Sequence, residues 1–289
     1  MALNQPLVSV VCLCYNHAHY VKEALQSVFG QTYTNLQVIV VDDASSDQSA
    51  GVISRAITGR SNVTFIPLAE NVGNCRAFNL GLKHASGSFI IDLAADDVLL
   101  PHRIQRGVEG LLQEDNRVGV QFGDAELIDS AGKHIGYHSD RFPHTAVPQG
   151  DIYVDVIARY FINSPTMLVR KEVFELLNGY DETLAYEDFD FWVRAARQFH
   201  FQYLPEVLVK NRKLEGSMSH HQFRKGNVQQ QSTYRVCEKI LALNRSLREQ
   251  HALAGRLRYE FVKSVQRGDF SLAWKYAQLW RRNRQQTYS

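Results

Sequence analysis

Three pairs of acidic residues carry the chemistry that this sequence can offer. Asp42-Asp43 closes the apolar run Leu36 to Val41, Asp96-Asp97 follows the run Phe89 to Leu93, and Glu187-Asp188 precedes the amphipathic stretch Phe189 to Arg197. A pair such as Asp96-Asp97 suits a hard divalent cation, Mg2+ or Mn2+. Such ions take carboxylate oxygens together with substrate phosphate oxygens and seldom a complete protein cage. Asp43 can accept hydrogen bonds from a ribose hydroxyl or a uracil-like imide, and Tyr15 can pack against a flat ring. A carboxylate at Glu187 or Asp188 can take a proton from a reacting hydroxyl. Each pair also has a plain structural reading. Asp42 and Asp43 suit a turn and a helix cap, Asp96 and Asp97 a loop, and Glu187 and Asp188 the electropositive start of a helix. Arg76 either reaches a nucleotide or solvates a helix face.

The elements that must position these residues alternate in type. Val8 to Cys14, Leu36 to Val41, Val63 to Pro67 and Phe89 to Leu93 have strand length and strand composition. Between them, His19 to Phe29 (Tyr20, Ala24, Leu25, Val28), Ser49 to Thr58 and Cys75 to His84 have helical spacing. Alternating strands and helices predict βαβ units and a parallel sheet, whose ligands bind beyond the carboxyl ends of the strands. Asp42-Asp43 and Asp96-Asp97 fall at such ends. Farther on, Ser130 to Gly150 predicts loop or hairpin, Lys171 to Leu177 and Phe189 to Arg197 predict helices, and Phe201 to Val209 a last strand.

The section after Gly226 changes character. Val236, Ile240, Leu243 and Leu247 form one helical stripe, and Leu253, Leu257, Phe261 and Val265 another. Gly268-Asp269-Phe270 reads as a turn before a Trp-rich helix. The expected division is a catalytic domain over residues 1–222, with a nucleotide-binding half to about 98 and an acceptor half from 99, then a basic helical region over 223–289.

The chain has 289 residues and a formal net charge of +2. From Arg224 onward there are 14 Lys/Arg against 4 Asp/Glu, which leaves 18 against 26 before it. A mildly acidic body with a basic tail points to a tail that meets an anionic surface, and not to a nucleic-acid-binding domain. No apolar run reaches the roughly 20 residues of a bilayer-spanning helix. Asn4 and Gln5, with no basic patch before an apolar run, predict no secretory signal, and the location expected is cytoplasmic. Cys12, Cys14, Cys75 and Cys237 show no CxxC pairing and are expected to be reduced core residues, with Cys12 and Cys14 on one strand face.

Three segments together resemble the family 2 glycosyltransferases of the GT-A fold. They are Val8-Ser9-Val10-Val11 to Tyr15-Asn16 with Val40-Val41-Asp42-Asp43-Ala44-Ser45-Ser46-Asp47; Asn71-Val72-Gly73 through Ala77, Asn79, Gly81, Ala85 and Gly87 to Ala95-Asp96-Asp97 and Pro101; and Gly179-Tyr180-Asp181-Glu182 with Glu187-Asp188-Phe189-Asp190-Phe191-Trp192. The resemblance covers residues 7 to 220, with three motifs in the family's order and spacing. It implies a Rossmann-like α/β fold, with a mixed, mainly parallel sheet flanked by helices, and a C-terminal helical extension. It implies an inverting transfer of sugar from a nucleotide diphosphate, a UDP-sugar by default, to a hydroxyl of a glycan or lipid-linked glycan. By the same resemblance Asp97 holds Mn2+ or Mg2+, Asp96 lies nearer the ribose, Asp188 is the base, and Tyr15, Asn16, Asp43, Arg76 and Arg212 contact the nucleotide sugar. Two departures stand out: Ala94 where the family often has another Asp, and Leu214 where similar enzymes often have a His, with His220 and His221 nearby.

Two other readings follow from those departures and from the sheet pattern. One is an inactive sugar-nucleotide-binding partner in an assembly complex, against which the retained Asp97 and Asp188 argue. The other is a nucleotidyltransferase, against which the loop Tyr15-Asn16-His17-Ala18-His19 argues, having neither Gly nor a basic run. No GxGxxG follows the first strand, which argues against a dehydrogenase. In the basic tail, Trp274, Tyr276, Leu279 and Trp280 precede Arg281, Arg282 and Arg284. That spacing serves either packing, on the body or on a second copy, or a peripheral foothold on an anionic membrane face.

Overall fold

The computed structural model describes residues 5–142, 146–214 and 228–288. It divides into two compact units: Met1–Gly150 with Ile162–Glu182 and Phe199–Lys213, and Asp151–Phe161 with Thr183–Gln198 and Leu214–Ser289. The expected linear boundary near residue 222 falls outside the described residues.

The first unit is a mixed sheet with helices on both faces. Strands β1 (Val8–Cys14), β2 (Leu36–Asp42), β3 (Val63–Pro67) and β4 (Phe89–Ala94) pair in parallel in the order β3-β2-β1-β4. Beyond β4 the order continues through β8 (Leu168–Arg170), β6 (Val118–Ile128) and β9 (His200–Arg212) to the short β5 (Val98–Leu99), with β7 (His134–Tyr137) hairpinned onto β6. The long ladder of β6 with β9 is also parallel, and β8 is antiparallel to both β4 and β6. The α/β class, the mixed sheet and the C-terminal helices are those that the sequence implied.

Every residue of β1 is buried, as its unbroken apolar run requires of a central strand covered on both faces. Alternate residues divide between the faces. Val10, Cys12 and Cys14 join Val38, Val40, Phe89, Ile91 and Leu93 in a core closed by α1 (Val21–Phe29), α2 (Ser49–Ala56) and α4 (Arg103–Gln113). The stripe Val21, Leu25, Val28 and the α4 stripe Ile104, Val108, Leu111 supply the helical side. On the other face, α3 (Asn74–Leu82) lies close against the sheet. A Cβ at Gly81 would stand 2.6 Å from Val11 Cγ1 and 3.0 Å from Val41 Cγ2, so a larger residue there would push the helix away. Next to α3, after α6 (Lys171–Leu177), Gly179 adopts φ 74°, and Asn79 exchanges hydrogen bonds with the backbone of Tyr180, both at 2.9 Å. Cys12, Cys14, Cys75 and Cys237 are all buried and outside any disulfide, and burial pushes the Cys14 thiol up to about 11.

The second unit is helical: α5 (Tyr153–Ala158), α7 (Asp188–Ala196), α8 (Val228–Leu243), α9 (Leu247–Gln266) and α10 (Phe270–Gln285). Val236, Cys237, Ile240, Leu253, Leu257, Leu272 and Leu279 are buried in it. Two expectations are corrected here. The stripe Val236, Ile240, Leu243, Leu247 is not one helix. Ser246 caps α9 by accepting from Glu249 N, which ends the periodicity and leaves Leu247 exposed. The aromatic cluster of α10 is divided as well. Tyr276 is buried, its ring edge-on to Tyr234 at 5.3 Å, and Leu279 is buried, while Trp274 is exposed and Trp280 half-buried. Positions 276 and 279 share the inner stripe of the helix, and position 274 lies on the outer one.

Candidate active site

Ladder register brings the acidic pairs of the first unit to one edge of the sheet. Cys14 is the partner of Asp42 and Leu13 the partner of Ala94, so β1, β2 and β4 end together. Tyr15 and Asn16, Asp43, and Asp96 and Asp97 follow those ends, and Asp42 is the last residue of β2. Asp43 N donates to Cys14 O at 2.8 Å and Ala95 N to Leu13 O at 2.9 Å, which fixes the first steps of both loops.

The two members of the first pair do different work. Asp42 accepts from Ser45 N at 3.3 Å and Ser45 Oγ at 2.5 Å, which is the turn-forming role of an Asx residue. Asp43 accepts from Val72 N at 2.7 Å and Gly73 N at 3.0 Å, which ties the loop before α3 to the end of β2. Its carboxylate keeps acceptor directions for a ligand, since two oxygens offer about four. Asn16 holds a left-handed backbone, φ 58°, a conformation Asn tolerates well. Its Oδ1 accepts from Ser46 N at 2.8 Å and its N donates to Ser45 Oγ at 2.9 Å, so in this state the side chain stitches two loops together. Tyr15 beside it is 48% exposed, with its ring open to a partner. Arg76 is exposed on α3, with Nε 4.0 Å from a Glu182 oxygen.

Asp97 is buried, and Asp96 beside it is partly buried. Asn211 Nδ2 donates to both Asp97 oxygens, at 2.9 and 3.1 Å, and Arg212 N donates to Oδ1 at 2.8 Å. Burial, with the neighbouring Asp96 charge, pushes the Asp97 carboxyl up to about 7, and the donors from Arg212 and Asn211 oppose that rise. Arg212 departs from its expected role as a donor-binding cation. Its side chain gives Nε to Asp96 O at 2.9 Å, Nη1 to Asp129 O at 3.2 Å and Nη2 to Glu23 Oε2 at 2.6 Å, over the Tyr20 ring. A buried guanidinium must satisfy its donors, and the protein supplies the acceptors. Arg212 therefore braces the Asp96-Asp97 turn against α1 and the β6–β7 loop.

Asp188 lies in the second unit, as the first residue of α7, and α8 holds the segment around it. Ala185 N donates to Ser232 Oγ at 2.9 Å, Tyr186 Oη is 2.7 Å from Thr233 Oγ1, and Arg235 Nη1 donates to Thr183 O at 2.8 Å. Just past Asp188, the Phe189 ring meets Tyr160 edge-on at 5.1 Å and the Arg256 guanidinium at 5.1 Å. Asp190, whose side chain is 1% exposed, receives Arg194 Nε at 2.6 Å and Lys239 Nζ at 2.5 Å.

The sequence model of Glycosyl transferase family 2 matches residues 9–175. The chain belongs to that family. An uncharacterized glycosyltransferase of Rickettsia prowazekii is 31% identical over 208 residues, covering 72% of this chain and 64% of that protein. One from Methanocaldococcus jannaschii is 27% identical over 214 residues, covering 73% and 72%. The chain spans from 30% to 64% of the length of its Rickettsia relatives. Among solved structures, S. aureus TarS 1–349 superposes with a TM-score of 0.70 at 20% identity, over 94% of this chain and 80% of that one. The TarS segment in complex with UDP-GlcNAc gives the same score over 96% and 79%. The mannosyltransferase PcManGT of Pyrobaculum calidifontis, in complex with GDP-Man and Mn2+, gives 0.64 at 19% identity over 96% and 80%. At such identities the likeness is one of fold.

A family 2 site with Mn2+ or Mg2+ needs hard oxygen donors at this edge, and the residues present fit that need. Two donor atoms, Asn211 Nδ2 and Arg212 N, make three hydrogen bonds to the Asp97 carboxylate, two on Oδ1 and one on Oδ2, which leaves one acceptor direction on Oδ2. His17 Nδ1 is buried without a hydrogen-bond partner and stands 3.8 Å from Asp96 Oδ1. Among the described residues no three His, Cys, Asp or Glu are arranged as a metal cage, so any cation there would draw further ligands from a substrate and water. Ser217, Ser219, His220 and His221 lie outside the described residues. Sequence reasoning passed over His17, Glu23 and Asn211. None belongs to the quoted motifs, and only the register of distant strands and α1 brings them to Asp96, Arg212 and Asp97.

Proposed function

We propose that this chain transfers a sugar from a nucleoside diphosphate sugar to an acceptor hydroxyl, with inversion at the anomeric carbon and with Mn2+ or Mg2+. The observation that carries this reading is the alignment of Asp43 and Asp96-Asp97 on the carboxyl edge of three parallel strands in a family 2 chain. In it, the open Tyr15 ring stacks on the base, Asp43 accepts from base or ribose, and Asp96 accepts from ribose. Asn16 and Arg212 act by holding these loops in place, and Arg76 remains a candidate contact for the donor. Asp97, with diphosphate oxygens, would hold the cation, which when bound neutralises charge growing on the leaving diphosphate. Asp188, at a helix N-terminus that favours negative charge, takes the acceptor proton as the oxygen attacks. A mechanism with one carboxylate as base and no protein group as nucleophile is a single displacement.

A UDP-sugar is the donor favoured by resemblance, and the TarS complex with UDP-GlcNAc makes UDP-GlcNAc the first to try. The acceptor class is a glycan or lipid-linked glycan. The test is a thermal-shift screen of nucleotide sugars with Mn2+, followed by a transfer assay with NMR of the product. A ligand that binds only the folded state raises the melting temperature. Retention of the donor's configuration overturns the mechanism. Donor binding without transfer or hydrolysis favours the inactive-partner reading, for which Ala94 speaks.

A further inference from the structure

The turn between α9 and α10 gathers the outward apolar residues of the second unit. Phe270 is 69% exposed and Trp274, one helical turn on, is 66% exposed; Tyr259, Val262 and Val265 are exposed along the last turns of α9. All five lie within ten residues of Gly268, whose φ of 71° makes the turn. At 1.5 Å rise per residue they occupy the same end of the helical hairpin. None of them is buried in this unit's core; Val265, which its spacing placed on one stripe with Leu253 and Leu257, is exposed while those two are buried.

The charge around that end has one sign. Between Gln250 and Tyr288 the sequence carries eight Lys/Arg and two acids. Both acids are turned inward. Glu260 pairs with the buried Arg256 at 3.3 Å, and Asp269 is buried as the cap of α10, accepting from Leu272 N at 3.0 Å. Near the turn Lys275 is exposed and Lys263 and Arg267 are half-exposed, whereas Arg281, Arg282 and Arg284 lie at the far end of α10, where Arg282 stands 4.0 Å from Glu238 of α8. The outer surface of this hairpin therefore has aromatic and aliphatic side chains among cations with no outward acid from its own helices.

We propose that the α9–α10 turn docks on an anionic lipid bilayer, with Phe270 and Trp274 entering the headgroup layer and the surrounding Lys and Arg resting on lipid phosphates. Rings at the headgroup level and cations against anionic lipid are the arrangement of interfacial helices, which bury an apolar face to a depth of about 5–10 Å. A second copy fits this surface poorly, since a two-fold contact would set like cationic faces together without acids to pair them. Nucleic acid would have no use for Val262 and Val265. No helix among the described residues is long and apolar enough to cross a membrane, so the contact is peripheral.

The experiment is flotation of the full chain with phosphatidylcholine vesicles, with and without phosphatidylglycerol, read together with tryptophan emission. The chain should float with the anionic vesicles at low salt, with a blue shift from Trp274, and should be released at about 1 M salt, where screening falls to about 3 Å. The double variant Phe270→Ser/Trp274→Ser should lose binding by about tenfold or more, and Lys275→Gln by about fivefold, since each cation near such a surface contributes about a fivefold factor. Both variants change exposed side chains, so their melting temperatures should match that of the parent. Equal binding of parent and Phe270→Ser/Trp274→Ser overturns the proposal, as does equal binding to neutral and anionic vesicles. A parent that ignores vesicles but self-associates through Phe270 and Trp274 overturns it in favour of a second copy.

Discussion

The two units place their acidic residues by different means. At the sheet edge the carboxylates are set by strand register and held in good part by backbone, as Asp43 is by Val72 N and Gly73 N and Asp97 by Arg212 N, with the Asn211 side chain added at Asp97. Around Asp188 the holding groups are side chains of a helix more than forty residues away: Ser232, Thr233 and Lys239. Backbone donors survive substitution of their own side chains, but side-chain donors do not. At Asp43 function should therefore depend on the acidic residue itself, at Asp97 also on the Asn211 and Arg212 side chains, and around Asp188 on a whole set of α8 side chains that never meet a substrate.

The largest effect expected is at Asp97. Asp97→Ala removes the proposed cation ligand, and several kcal/mol of charge stabilisation correspond to roughly 10³-fold or more in turnover. It also leaves Asn211 and Arg212 N without their acceptor, at a cost of about 1–3 kcal/mol in stability. Asp97→Asn separates the two effects by keeping an acceptor. Wild-type turnover in Asp97→Asn, or activity indifferent to chelator, would remove the cation from the mechanism. Next is Asp188→Asn, which keeps the shape and removes the proton acceptor. Turnover should drop by roughly 10²–10⁴ while donor affinity stays within twofold or so. Lost donor affinity with turnover intact would mean that Asp188 is not the base.

Lys239→Met probes the difference between the units more directly. It leaves the buried Asp190 with Arg194 alone. A buried pair broken on one side costs about 3–5 kcal/mol, but the Lys239 side chain is 31% exposed, and water tempers the loss to about 1–3 kcal/mol. Melting should fall by about 2–4 °C per kcal/mol. If Asp190 steadies the turn that begins with Asp188, kcat should fall at unchanged donor affinity, and Lys239→Arg should restore most of it. A matched loss of donor affinity would erase the distinction between the two units.

What could be read in the sequence follows the same division. The fold of the first unit was legible because β1 is a run of apolar residues with no polar break except Ser9, and because acidic pairs mark strand ends. The strand β6 and the helix α4 went unread: Gln121, Gly123 and Asp124 interrupt the apolar pattern of the one, and Gly107 and Gly110 that of the other. At the site, Asp42 and Asp43 were legible as a pair but not in their separate roles, which depend on whether the carboxylate meets Ser45 or Val72. Arg212 was legible, through the family resemblance, as a cation in contact with the nucleotide sugar. That its donors would be taken up by Glu23 and three backbone carbonyls depends on α1 and the β6–β7 loop, which no local pattern reveals. In the helical unit periodicity located the stripes, but it ran through Ser246, where capping chemistry stops one helix and starts the next.

The smallest effect is one of pH at the sheet edge. Without a cation, burial and Asp96 hold the Asp97 carboxyl up at about 7, against about 3.9 in the unfolded chain. The folded state thus binds a proton that the unfolded state releases. The stability this contributes is fully present below about pH 4 and is lost as pH rises toward 7. A cation reverses the sense, because it needs the carboxylate unprotonated. Below about pH 7 the affinity of Mn2+ should weaken by up to about tenfold per pH unit, which is at most about 1.4 kcal/mol of ligand-linked stability per unit. The gain in melting temperature on adding Mn2+ with a nucleoside diphosphate should therefore grow by a few degrees between about pH 6 and about pH 8 and level off above. Asp97→Asn should flatten that curve, while Lys239→Met should lower both melting temperatures and leave their difference as it was. A parent curve that is level across this range would mean that the carboxyl of Asp97 does not compete with the cation for a proton.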